Sequence, residues 1–288
     1  MPQVTISSSS GFCFGVVYAV EMAEAYLKEH PYLYCLGDIV HNDEEVQRLK
    51  EKGLRIISHA DLPKLAGETV LIRAHGEPPE TYQLALRYNI KLLDASCPVV
   101  LKLQNRLRDI DRPDVQIVLL GKLGHPEVVG LVGQLQQAQL FIVSSPEEVD
   151  ALPLEPHKST YLFSQTTKPP ALFAAVAERL KARIPDAIIA DTLCRQVSNR
   201  EPHLEAFARS QDVVLFVAGK KSSNGRSLFS ICQAANPRSY YISSPEEIDW
   251  TWLEGAEKIG IAGATSTPQW LMEKVKAHIE AHFATVVA

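Results

Sequence analysis

The 288-residue sequence predicts an α/β protein of three pseudo-repeated units with mainly parallel sheets, set in a pseudo-threefold, trefoil-like arrangement around one central site. Three observations predict it. Short apolar strands alternate with amphipathic helical stretches along the whole chain, which is the pattern of βα units and parallel sheets. "FIVSSPEEVD" (141–150) recurs as "YYISSPEEID" (240–249), with a weaker copy in "RIISHADLPKL" (55–65). A cysteine stands at the first strand-to-helix junction of each set.

The elements follow in order. "VTISSSSGFC" leads into a helix over about 16–28, "IKLLDASC" into one over about 98–109, and "AIIADTLC" into one over about 196–209. These junctions carry Cys13, Cys97 and Cys194. The second junctions are "YLYCLGDIVHN", "VQIVLLGKLGHPE" and "DVVLFVAGKKSSN", with His41 and Asn42, His125 and Glu127, then Ser222, Ser223 and Asn224. The remaining junctions, "VLIRAHG", "TYLFSQTT" and "IGIAGATSTP", carry His75, then Thr166, then Ser266, each before another helical stretch. In each SSPEE copy, Pro near the first helical position signals a helix start. The units fall at 1–88, 89–185 and 186–288, and the pattern leaves open whether residues 1–12 stay with the first unit or complete the third.

Composition bounds the function. Hydrophobic residues at 46% and charged residues at 22% describe a globular protein, and a net charge of −5 argues against an extended nucleic-acid surface. No apolar run approaches the roughly 20 residues that span a bilayer, and the N-terminus lacks a signal-peptide pattern, so a cytoplasmic location with no membrane or nucleic-acid partner is expected. Five cysteines without a CxxC pair do not form a secreted disulfide framework.

Strand ends in parallel sheets are where ligands bind, so nine polar junctions converging on one axis would assemble a site. Helix N-termini favour thiolate over thiol, and three equivalent thiolates suit an iron-sulfur cluster with one iron open, or a zinc site completed by water or substrate. Cys35 and Cys232 lie within apolar patterns and read as core. A lone loop histidine is usually solvated, but His41, His75 and His125 recur at strand-to-helix junctions. With the Ser, Thr and Asn donors and helix N-termini around them they favour a phosphate-bearing ligand. There is no P-loop. Glu127 reads locally as a first-turn acid, and functionally as a proton donor beside a metal.

Together "GFCFGV", "VHN", "RAHGEPP", "DASCPVV", "GHPEVVG", "SQTT", "KSSN" and "STP", in this order over nearly the whole chain, resemble the 4-hydroxy-3-methylbut-2-enyl diphosphate reductase family. The resemblance implies three α/β units around one 4Fe-4S cluster held by Cys13, Cys97 and Cys194, with the fourth iron open to substrate. It implies diphosphate contacts from His41, His75, His125, Ser222, Asn224 and Ser266, with Ser223 beside them. Thr166 would orient the substrate hydroxyl and Glu127 would deliver protons. Reductive loss of that hydroxyl would yield isopentenyl and dimethylallyl diphosphates, with electrons from a ferredoxin- or flavodoxin-type donor. Tyr18 stands where the family usually has a basic residue, and Val197 where it usually has Thr. These departures keep open a paralogue that reduces or dehydrates another small phosphorylated substrate, and a different class of alternative is a non-catalytic iron-sulfur redox sensor.

Overall fold

The computed structural model describes residues 1–287, with side chains through Thr285. In chain order the strands are β1 (Gln3–Ile6), β2 (Leu33–Leu36), β3 (Leu54–Ile57), β4 (Thr69–Ile72), β5 (Lys91–Asp94), β6 (Val115–Leu120), β7 (Gln139–Val143), β8 (Ser159–Ser164), β9 (Ile188–Ile189), β10 (Val213–Val217), β11 (Ser239–Ile242) and β12 (Lys258–Gly263). The helices are α1 (Phe14–Glu29), α2 (Asp43–Glu51), α3 (Pro79–Arg87), α4 (Pro98–Asp109), α5 (Pro126–Val132), α6 (Pro170–Arg183), α7 (Arg195–Ser198), α8 (Arg200–Arg209), α9 (Ser223–Ala235) and α10 (Gln269–Val287).

The strands form three four-stranded sheets, ordered β3-β2-β4-β5, β7-β6-β8-β9 and β11-β10-β12-β1. The orders are the same once the repeats are aligned. The central strands β6 and β10 carry long, almost wholly apolar runs because both of their faces are covered. "VVLFV" in β10 is buried at every position, as is "VQIVLL" in β6. The one polar side chain in these runs, Gln116, is satisfied by donating to Glu155 O and Thr160 Oγ1.

β1 pairs in parallel with β12, from Gln3 opposite Lys258 to Ile6 opposite Ile261. β5 pairs with β4, and β9 with β8, in the same way. The strand leading to each cysteine therefore closes the sheet of the set before it.

Two compact units contain these sheets. One comprises residues 1–32, 38–54 and 199–288, the other residues 33–37 and 55–198. In the first, Val4, Leu215, Val217, Ile259, Ile261, Leu271 and Val275 pack on one sheet face, and Leu204, Phe216, Ala262, Leu228 and Cys232 on the other. In the second, separate clusters form around Leu36, Val70 and Ile72 and around Val118, Leu162, Val176 and their neighbours. Each fully buried aliphatic side chain contributes about 1.5–3 kcal/mol. Cys35 and Cys232 are fully buried, and burial pushes the Cys232 thiol up to about 12.

Two local expectations change. The helix expected over 196–209 is broken into α7 and α8 at Asn199, because Pro202 has no N–H and its ring clashes with the carbonyl of residue 198. The SSPEE motifs open single 3₁₀ turns rather than full helices. Their glutamates fold back onto the serines: Glu148 accepts from the backbone and hydroxyl of Ser144, and Glu247 does the same for Ser243. The chain is thereby turned toward the next strand after one turn.

Candidate functional site

Cys13, Cys97 and Cys194 each sit where a strand gives way to a helix. The backbone hydrogen bonds there repeat three times: Cys13 N–H donates to Thr265 O at 3.2 Å, Cys97 N–H to Ala74 O at 3.0 Å, and Cys194 N–H to Thr166 O at 2.8 Å. All three thiols are partly exposed and none is in a disulfide. Cys13 and Cys97 occupy the N-cap positions of α1 and α4 in extended backbone, yet neither side chain caps its helix.

Cys13, His41, Ser222, Ser223, Asn224 and Ser266 belong to the first unit, where their loops interlock. Asn224 Oδ1 accepts from Thr265 N–H at 3.1 Å and from Thr265 Oγ1 at 2.9 Å. Its Nδ2 is buried without a partner. Ser222 caps α9 by accepting from Gly225 N–H, and its Oγ lies 3.4 Å from that of Ser266. Ser266 Oγ in turn lies 3.4 Å from His41 O. Ser223 is half-buried at the start of α9. Hydroxyls, an unpaired amide donor and the N-termini of α2 and α9 make this cluster suited to an anion.

Arg200 completes the loop before Cys13. Its Nη1 donates to Gly11 O at 2.6 Å and its Nη2 to Phe12 O at 3.4 Å. Gly11 adopts φ +107°, a conformation that side-chain-bearing residues rarely take.

His75, Cys97, His125, Glu127, Thr166 and Cys194 belong to the second unit. The His75 and His125 rings meet edge to face, with centroids 5.5 Å apart. His125 caps α5, and its Nδ1 accepts from Glu127 N–H at 3.2 Å. An accepting Nδ1 leaves the proton of a neutral ring on Nε2, which makes Nε2 a donor. Glu127 is buried, and its two carboxylate oxygens receive Thr166 N–H at 2.7 Å and Thr166 Oγ1 at 3.0 Å. Burial pushes its carboxyl up to about 7, against the lowering effect of the two Thr166 donors. Gln165 Oε1 accepts from Lys122 N–H, tying the loop that carries His125 to the one that carries Thr166.

Each of these thiols stands at a helix mouth and is a soft donor of the kind that binds iron-sulfur clusters. Ser198 Oγ, near Cys194 in the chain, is buried without a hydrogen-bond partner. A buried hydroxyl left without a protein partner is one that a bound group or a water could satisfy.

The sequence profile of the LytB protein family matches residues 4–280. The chain belongs to this family. It is 51% identical over 287 residues to the 4-hydroxy-3-methylbut-2-enyl diphosphate reductase of Bacteroides thetaiotaomicron, covering 97% of this chain and 98% of the relative. The enzyme of the same name from Porphyromonas gingivalis is 48% identical over 290 residues, covering 98% and 99%. Two solved structures are similar. One is the E-1-hydroxy-2-methyl-but-2-enyl-4-diphosphate reductase of Plasmodium falciparum, with TM-score 0.85, 26% identity and coverage of 96% of this chain and 87% of that one. The other is described as (E)-4-hydroxy-3-methyl-but-2-enyl diphosphate reductase, the terminal enzyme of the non-mevalonate pathway, with TM-score 0.72, 33% identity and coverage of 98% and 100%.

For a LytB-family chain, the two departures noted in the sequence have distinct settings. Tyr18 is exposed on α1, whereas Val197 is buried in α7 and followed by the unpaired Ser198 hydroxyl. Sequence reasoning missed Arg200, whose carbonyl partners lie 189 and 188 residues away in the sequence. It also missed Glu77, a buried carboxylate beside His75 in sequence that accepts from Thr81 Oγ1 at 3.1 Å and lies 2.7 Å from His59 Nε2. Nothing local marks either contact. Among the described residues no helix is long and apolar enough to cross a membrane.

Proposed function

We propose that this chain is a cytoplasmic 4-hydroxy-3-methylbut-2-enyl diphosphate reductase. It takes two electrons from a ferredoxin- or flavodoxin-type donor and two protons, releases the allylic hydroxyl as water, and yields isopentenyl and dimethylallyl diphosphates. Cys13, Cys97 and Cys194 would hold one 4Fe-4S cluster. When bound, that group supplies electrons and a Lewis-acidic iron for the substrate oxygen.

The chain's own residues do the rest. His41, His75, His125, Ser222, Ser223, Asn224 and Ser266 bind the diphosphate through neutral or weakly charged donors. Thr166 orients the substrate hydroxyl. Glu127 holds the proton that the departing oxygen needs, which requires a carboxyl that is still partly protonated near neutral pH. The observation that carries this reading is the buried Glu127–Thr166 pair, with the carboxyl raised to about 7.

The test is anaerobic reconstitution with iron and sulfide, followed by turnover of the hydroxymethylbutenyl diphosphate with a chemical reductant. Formation of both diphosphate products is expected, and Glu127→Gln should keep the iron while losing about 10²-fold or more in kcat. An intact cluster with no turnover would favour the paralogue that Val197 suggests. Full output from Glu127→Gln would favour the sensor.

A further inference from the structure

Behind the anion-binding loops of the first unit lies a charged network, centred on a buried glutamate, that the reaction does not use. Glu45, in the first turn of α2, has a side chain with no exposed surface. Arg48 grips it with two bonds, Nε to Oε2 at 2.8 Å and Nη2 to Oε1 at 2.6 Å. The indole Nε1 of Trp270, on the first turn of α10, donates to the same Oε2 at 2.7 Å. Arg48 Nη1 and Lys52 Nζ both reach Glu24 Oε1 on α1 at 2.6 Å. Three helices are joined this way, and each begins beside a proposed site residue: Cys13 before α1, His41 before α2 and Ser266 before α10.

Distances decide what holds His41 and Ser266 together. On the site side, Ser266 Oγ and His41 O are 3.4 Å apart, beyond the usual range for a hydroxyl hydrogen bond. On the far side the Trp270–Glu45 bond is short, charge-assisted and part-buried, and charge-assisted bonds are about twice as strong as neutral ones. Glu45 also donates its N–H to Asn42 Oδ1 at 3.1 Å, so one residue anchors both the His41–Asn42 turn and Trp270. A fully buried carboxylate costs several kcal/mol unless its oxygens are paired, so the network either persists whole or rearranges.

We propose that Glu45 and Trp270 are positioning residues for the diphosphate, setting the spacing of the His41 and Ser266 loops from behind. The proposal rests on the function proposed above. It assigns the pair to anion affinity and not to the chemical step.

The test is Trp270→Phe in the anaerobically reconstituted protein, with Glu45→Gln as a conservative companion that keeps an oxygen for the indole. Three quantities are read below the melting temperature of each variant: the Kd of inorganic diphosphate by calorimetry, KM and kcat. For Trp270→Phe, Kd and KM should rise together by about tenfold, with kcat and iron content within about twofold of wild type and a smaller rise in Glu45→Gln. Unchanged Kd and KM with a lowered melting temperature would overturn the proposal, as would a fall in kcat alone. Wild-type protein that fails to bind inorganic diphosphate would instead overturn the functional reading, and this proposal with it.

Discussion

At the scale of single residues, the balance at Glu127 decides how the site handles a proton. Burial raises its carboxyl from an ordinary value of 4.5 to about 7, while the Thr166 N–H and hydroxyl pull it down. A proton donor must be protonated, so kcat should be high below pH 7 and fall along a basic limb centred there. The limb should vanish in Glu127→Gln. Thr166→Ala removes one of the two lowering donors and should move the limb to higher pH, read from kcat profiles between pH 5.5 and 9. A limb that stays in place in Thr166→Ala would show that the hydroxyl does not set the carboxyl. The same shift has a stability consequence of opposite sign to that of an ion-paired acid. The folded-state value lies above the unfolded one, so the contribution is full below about 4.5 and lost as pH rises through about 7, on the order of 3 kcal/mol. Urea midpoints of Glu127→Gln should therefore be flatter than wild type between pH 5 and 8.

At the scale of elements, the sequence made helix starts legible wherever a chemical marker stood at the boundary. Pro79, Pro98, Pro126 and Pro170 open α3, α4, α5 and α6, and the helix expected over 98–109 is found at those bounds. The SSPEE motifs misled on length because their glutamates satisfy serines instead of prolonging a helix. Close approaches between loops were not legible, since nothing in "VAGKKSSN" announces what lies against Gly219. A Cβ there would stand 2.2 Å from His41 O and 2.9 Å from Asn42 Cα, both backbone atoms that cannot swing aside. Gly219→Ala should therefore push the His41 turn away and raise KM by about tenfold or more with iron content unchanged. A variant with wild-type KM would show that His41 tolerates displacement and contributes little to diphosphate binding.

At the scale of the whole molecule, the threefold repeat could be read from one chain, because each junction sets a polar cluster after an apolar strand. What could not be read is which sheet each strand joins. A βα pattern looks the same whether the N-terminal strand opens the first unit or closes the last, and the pairing that decides it links residues at opposite ends of the sequence. β1 lies on β12, with Thr5 opposite Gly260, and it leads directly to Cys13. This arrangement makes the N-terminus a structural closure of its sheet. Losing β1 would forfeit the burial of Val4, about 1.5–3 kcal/mol, and several ladder bonds of about 0.5–1.5 kcal/mol each. It would also expose the buried strand β12 as an open edge, which invites aggregation. Thr5→Pro, which removes one donor and cannot sit comfortably in a paired strand, should lower the melting temperature by about 5–10 °C and reduce cluster retention during anaerobic gel filtration. Pro2→Ala, one residue before the strand, should do neither. Equal melting temperatures for the two variants would mean that the β1–β12 pairing contributes little to stability, and that Cys13 is held by Arg200 and the Thr265 carbonyl instead.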